Sequence, residues 1–343
     1  MSAAGVNISE RTIRFAELIR KGEHLELGRF GEREIPQGAV EGGDIKEPLI
    51  LSNLLSQIKK ENNFSFVRVA LPEQQAYLIT LKIPRIKKSA IRGSIELQLE
   101  EHVPINPNNV IFDYTIAPHE KNDQHFKVGI SVIQSKIVEM YHRVFNDAGL
   151  IPLSFEIEAQ AIVRALLSPS DQDTYLLIDI GARRTGLMIV SEGIIRFTWT
   201  VQIGGDLLTQ AVAQTERLDF EKARAIKEKI GLYRNKEKNL VHILTPLLKI
   251  LRNEIGSRFE YWQLHRDEVT GGEHPPIEKV IFCGGETNVP GLPQFLSTGF
   301  KVPFLIANPW KNVVSFDQYI PKIPFNHSLR YTTALGLALR FPE

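Results

Sequence analysis

Cysteine is almost absent. Cys283 stands alone among 343 residues, so no intramolecular disulfide can form, and a reducing cytoplasm fits that usage. Long apolar runs are missing as well. None approaches the roughly 18 residues that span a bilayer, and the opening MSAAGVNISERTIRF lacks the basic-then-apolar pattern of a signal peptide. Nor is there an excess of one charge: 41 basic against 40 acidic residues leave +1, which provides no broad field for nucleic acid or anionic lipid. No GxxxxGK followed by Ser or Thr occurs, which removes the Walker phosphate loop. What remains is 43% hydrophobic and 24% charged, the composition of a soluble globular protein long enough for two lobes with separate cores.

The most informative stretch is YLLIDIGARRTGLMIV, residues 175–190. Its first part, Tyr175 to Ile180, is apolar except for Asp179, as in a strand buried on both faces that delivers one acid to a cleft. Gly181 follows, where backbone can turn tightly and present its N–H to an anion, and Thr185 adds a hydroxyl. Apolar residues then return through Val190, and after the turn SEG a third strand runs from Ile194 to Ile203. The chain opens on the same pattern: Ala4 to Ile8, a turn containing Ser9, Thr12 to Ile19, a turn at Gly22, then Leu25 to Phe30. Asn7 lies where Asp179 lies. Two copies of one strand-turn-strand unit predict duplicated lobes, although an Asp-x-Gly turn is also ordinary hairpin chemistry.

Between the copies, Pro48 to Lys60 reads as a helix with Leu51, Leu54, Leu55 and Ile58 on one stripe, and Phe66 to Leu71 as a buried strand. From Tyr77 the character changes. A basic and apolar stretch leads to a helix striped by Ile91, Ile95 and Leu99, which EEHVPINPNN ends. Strands Val110 to Ile116 and Lys127 to Ile133 flank the turn EKNDQ. A further helix carries Ile137, Met140, Tyr141, Val144 and Phe145 on one face and stops at Gly149. Residues 77–150 therefore read as a small α+β unit inserted into a first lobe made of 1–76 and 151–172, with 173–343 as the second lobe and about 206–275 its helical part. The basic cluster Arg85, Lys87, Lys88 and Arg92 reads as a solvated face of the insert.

SFEIEAQAIVRALL reads as one helix whose start carries Glu156 and Glu158, where the macrodipole favours acids. After the second hairpin, Gly204 and Gly205 break the strand, Asp206 is placed to cap a helix, and a second helix runs from Phe220 to Ile230 with Lys227 and Glu228 side by side. Thr245 and Pro246 read as the start of a long helix that ends before the surface loop DEVTGGEHPP. KVIFCGGETNVPGL then takes a strand into Gly284 and Gly285, and Pro-Gly restarts a helix. RYTTALGLALR is a helix of small residues suited to close packing at a hinge.

Together these motifs resemble the actin-like ATPase superfamily, an α/β fold of duplicated ribonuclease H-like lobes. Within it the chain resembles the PilM proteins of type IV pilus assembly, relatives of FtsA, through GVNIS, VPINPNNVIFDY, FEIEAQA, IDIGARRT, GGDLLTQ, CGGETNVPGL and TTALGLALR. The resemblance implies a cytoplasmic ATP- or ADP-binding protein with Mg2+, held on the cytoplasmic face of the inner membrane. There the insert and first lobe would grip the N-terminal peptide of a PilN-like membrane protein, with a pilus motor ATPase as a further partner. It implies that Asp179 faces the metal and Glu158 the attacking water. Asn7, Ser9, Gly181, Arg183, Arg184 and Thr185 would surround the phosphates. Gly204, Gly205, Lys227, Glu228, Gly284, Gly285, Glu286, Thr287 and Val289 would surround the nucleoside. Asn7 stands where an acid is usual, and Arg183 and Arg184 where small residues are, so binding with slow turnover is expected. An FtsA-like filament protein would carry a terminal amphipathic anchor, but the chain stops three residues after Arg340. An actin-like small-molecule kinase would carry an extra substrate loop.

Overall fold

A computed structural model describes residues 3–22, 24–118, 124–233, 239–267 and 271–340. Most of the EKNDQ turn, part of the DEVTGGEHPP loop and the last three residues lie outside them. The first lobe opens with β1 (Ala4–Ile8), β2 (Thr12–Lys21) and β3 (His24–Glu34), followed by the two-residue strands β4 (Val40–Glu41) and β5 (Asp44–Ile45). Helix α1 (Pro48–Asn62) starts with proline in its first turn, where the missing N–H has no bond to lose. It buries Leu51, Leu55 and Ile58 and leads to β6 (Phe66–Leu71).

The insert is a three-stranded sheet ordered β7-β9-β8, from β7 (Ala76–Pro84), β8 (Val110–Ile116) and β9 (His125–Gln134), with α2 (Lys88–His102) on one face. Its core joins Leu81, Ile83, Ile91, Ile95, Leu99, Phe112 and Val128. The expected boundary at residue 150 is corrected here. Helix α3 (Ser135–Asp147) sends Ile137, Tyr141, Val144 and Phe145 into the core of the first lobe, beside Leu51 and Leu55. The unit with its own core therefore ends near residue 134; an apolar stripe requires a core without specifying which one.

A second correction concerns FEIEAQA. β10 (Ile151–Ile157) is a strand parallel to β6, and the helix α4 (Glu158–Leu166) begins only at Glu158. Glu156 thus sits on a strand, where Arg164 holds it with two bonds of 2.5 and 2.6 Å.

The second lobe repeats the plan with β11 (Tyr175–Ile180), β12 (Thr185–Ser191), β13 (Ile194–Val201), β14 (Lys279–Cys283) and β15 (Phe304–Ile306). The sheets are ordered β3-β2-β1-β6-β10 and β13-β12-β11-β14-β15, with matching antiparallel and parallel pairs, so the expected duplication is observed. Between β13 and β14 lie α5 (Gly205–Glu216), α6 (Phe220–Ile230) and α7 (Val241–Leu264). α7 starts at Val241, with Pro246 inside it. Thr245-Pro246 is therefore not its beginning, because the apolar residues Ile243 and Leu244 already bury in the lobe core. The short α8 (Leu292–Ser297) and α9 (Phe325–Ser328) precede α10 (Thr332–Ala338), which is buried along its length.

α10 and α4 cross at the hinge, where Gly336 lies against Ala161. A Cβ on Gly336 would stand 1.8 Å from the Ala161 carbonyl oxygen. Among the described residues no helix is long and apolar enough to cross a membrane.

Candidate functional site

The C-terminal ends of β1 and β11 point into a cleft between the lobes, the place where strands of an open α/β sheet deliver side chains to ligands. Asn7 and Asp179 face it from equivalent positions. Around them lie Gly181, Arg184, Glu158 and the Gly284-Gly285 turn. Gly284 has φ +83, and a Cβ there would meet an Asp179 carboxylate oxygen at 2.4 Å, so only glycine brings this turn onto the acid.

Among the described residues three close ion pairs join the lobes over this cleft, beside a longer Arg330–Glu32 contact of 3.9 Å. Arg11 of the first hairpin reaches Asp206 at 3.2 Å, and Arg183 of the second reaches Glu10 at 3.4 Å. Arg184 donates to Glu158, at the start of α4, at 2.5 Å. Asp206 is therefore an interlobe partner and not a helix cap: Gly204 occupies the N-cap of α5, with no side-chain bond.

The cleft interior measures about 90 Å3.

Burial raises the Asp179 carboxyl to about 6, with Glu158 adding to the rise and Arg184 opposing it. A third acid, Glu73, sits just after β6 at 6% exposure. Burial, then Glu158, lifts it to about 8, so it is largely protonated at neutral pH.

Four buried polar atoms on cleft-lining residues have no hydrogen-bond partner: Asn7 Oδ1, Gln74 Nε2, Arg184 Nη1 and Arg330 Nε. Unsatisfied groups of this kind are costly unless a ligand or water completes them. Three are donors, which suits phosphate oxygens. The fourth is an acceptor near Asp179, which suits a hydrated cation. Among the described residues no cluster of three or more His, Cys, Asp or Glu could hold a metal alone. A magnesium ion would therefore rest on Asp179, water and the phosphates, a common arrangement for Mg2+.

Several expected ligand residues have other work. The Thr185 hydroxyl donates to the Ile203 carbonyl at 2.7 Å, and that of Thr287 to the Cys283 carbonyl at 2.6 Å. Val289 is in the core of the second lobe. Ser9 shapes its own turn through its hydroxyl, which donates to the Thr12 carbonyl and accepts from the Thr12 N–H. Lys227 is fully buried; its ammonium donates to the Gly205 carbonyl at 2.9 Å and to Glu286 at 2.6 Å. Glu286 lies over Gly205, and Gly204 is pressed against the backbone of residues 182–184. Glu228 faces solvent. None of these, Ser9 apart, lines the closed cleft. Sequence reading missed Glu73, Gln74 and Arg330; the polar run PEQQ directly after a buried strand was the available signal for the first two.

A second feature is a groove of about 700 Å3 between the sheet of the insert and the first lobe. Asp113, Tyr114 and Ser131 of the insert form one wall, and Gln160, Arg164 and Arg340 the other. Gln160 bridges them by donating to the Ser131 hydroxyl at 3.2 Å. The turn at Gly193 and Ile194 in the second lobe closes one side.

Solved structures share this architecture. A PilM-PilN type IV pilus biogenesis complex is 21% identical over 99% of this chain and 98% of that one, with a TM-score of 0.79. The ethanolamine utilization protein EutJ from Carboxydothermus hydrogenoformans is 15% identical over 99% and 89%, with a TM-score of 0.58. MreB5 of Spiroplasma citri bound to ADP is 13% identical over 97% and 94%, with a TM-score of 0.55. These likenesses place the fold among actin-like ATPases. The family model for the type IV pilus assembly protein PilM matches residues 5–341, and the chain belongs to that family.

Proposed function

We propose that the chain is an ATP-binding scaffold of a type IV pilus assembly platform. The carrying observation is the set of unpartnered polar groups on Asn7, Gln74, Arg184 and Arg330, converging on one interlobe cleft beside Asp179. ATP would place its phosphates between the two hairpin turns, with Mg2+ supplying charge neutralisation beside Asp179. Gly284 and Gly285 would let backbone approach the nucleoside. Bound ATP would then bridge the lobes where ion pairs bridge them in its absence.

Slow turnover is part of this reading. An amide at Asn7 leaves one fewer negative charge for the metal, and Arg184 engages Glu158, the acid nearest the role of orienting water. The groove beside the insert would take the cytoplasmic N-terminus of a PilN-like membrane protein as an extended peptide, through main-chain bonds and side-chain pockets. Membrane association would follow from that partner, with a motor ATPase contacting the assembled platform.

ATP or ADP with magnesium should raise thermal stability by mass action, and Gly285→Val, which fills the nucleoside's place beside Arg330, should abolish the rise. No shift at about millimolar nucleotide would reject the pocket.

A further inference from the structure

The near-neutral chain hides a local segregation of charge on the insert. From Gln74 to Ile95 there is no acid, while Lys82, Arg85, Lys87, Lys88 and Arg92 supply five bases. Four of these, Arg85 to Arg92, gather at one end of the insert, at the start of α2, and all four are exposed. The other end of the same helix carries Glu100 and Glu101, with Glu96 at its middle. This order opposes the helix macrodipole at both ends, because cations belong near the C-terminus and anions near the N-terminus. α2 has no acid in its first turn, Lys87 at its N-cap and no side-chain cap. Helix stability therefore does not account for the arrangement.

Local contacts account for only part of it. Arg85 lies over the Phe126 ring at 5.6 Å and Arg92 over Phe112 at 4.4 Å, with Glu96 3.4 Å from Arg92. Stacking fixes both guanidiniums on the outside of the insert. Lys87 and Lys88 have no acidic partner within ion-pair distance among the described residues. None of the four lines the cleft or the groove. They form an exposed cationic face, which suits a diffuse array of negative charge.

We propose that this face of the insert rests on an anionic lipid surface. The segregation also sets an orientation. α2 has 15 residues, so its ends are about 22 Å apart. That is more than twice the Debye length of about 8 Å at physiological salt. With the basic end on the lipid, the acidic end is screened from it. Four bases give weak attachment by themselves, and a tethered membrane partner in the groove would raise the effective concentration. The inference rests on the membrane-platform reading, but its chemistry needs no partner.

The test is flotation of the full chain with vesicles of phosphatidylcholine, alone or with about 30 mol% phosphatidylglycerol. Binding is expected only to the anionic vesicles at about 50 mM salt, and it should fall steeply by about 300 mM. Lys87→Glu with Lys88→Glu should reduce bound protein about tenfold or more without lowering the melting temperature, since acids at this end suit the helix dipole. Equal flotation of native and double variant would overturn the proposal, as would retention on immobilised polyglutamate without binding to anionic vesicles. Vesicles bearing the partner's tethered N-terminal segment separate the two readings. Capture there but not on bare anionic vesicles rejects the lipid contact alone, and capture on neither rejects the platform reading as well.

Discussion

Arg184 governs the chemistry of the cleft at the scale of the residue. It is the one basic group donating to Glu158 among the described ion pairs, and its second terminal nitrogen has no partner. Arg184→Met should leave the buried Glu158 without its cation, costing about 1–3 kcal/mol of stability. It should also weaken ATP affinity about tenfold or more, the loss of one charge-assisted bond. Urea unfolding and calorimetric titration check the two effects separately. Asn7→Asp should raise phosphate release by restoring a carboxylate for the metal, and Asp179→Ala should weaken nucleotide binding.

Glu73 provides a pH signature. Its carboxyl is raised to about 8 in the fold against 4.5 as the ordinary value, so the folded state holds the proton more tightly. Stability from this group is complete below about 4.5, is lost as pH rises toward 8, and is flat above. Glu73→Gln should therefore flatten that fall and be the more stable protein at pH 8.5, by an amount on the order of a few kcal/mol at most. Denaturant midpoints at pH 6 and 8.5 decide it. Unequal loss in the two proteins is expected, and parallel loss would show that Glu73 ionises freely.

Boundaries and packing decide outcomes at the scale of the element. Ala76 and Ile133 are paired neighbours on β7 and β9, so excising 77–132 with a short linker should leave a folded two-lobed protein that still gains stability from ATP. Excising 77–150 also removes Tyr141, Val144 and Phe145 from the first lobe's core and should give an unfolded product by circular dichroism. Gly336→Val, which drives a side chain into the α4 backbone, should cost on the order of 3 kcal/mol or more.

Much of this level was legible in sequence. The periods of α1, α2 and α6 give their places because one face of each is buried, and the hairpin strands β1, β11 and β12 show as apolar runs because they are buried on both faces. β10 was not legible: FEIEAQAI satisfies a helical as well as a strand pattern, and only pairing with β6 separates them. The attachment of α3 and the Lys227–Glu286 pair were hidden for a related reason. Each depends on which distant partner a segment meets, and 59 residues separate that lysine from its glutamate.

The duplication is the organising fact of the whole molecule. Two sheets of one order meet at a hinge of small residues, and the equivalent Asn7 and Asp179 face each other across a cleft held shut by Arg11–Asp206, Arg183–Glu10 and Arg184–Glu158. Asp179, Gly181 and Gly284-Gly285, which the motifs single out, line that cleft. The motifs did not reveal that both arginines of the turn already have carboxylate partners on the other lobe, since such pairs exist only once the lobes close. A ligand that displaces them must bridge the same gap, and an ATP that is held without being cleaved would do so durably.

The most direct test is a single-turnover experiment: excess protein is mixed with ATP and magnesium, and the bound nucleotide is identified by chromatography after about a minute, many times the turnover interval of an ordinary enzyme at about 1 per second. The account predicts protein-bound ATP, largely uncleaved. Release of ADP and phosphate within that time, abolished in Glu158→Ala, would contradict it.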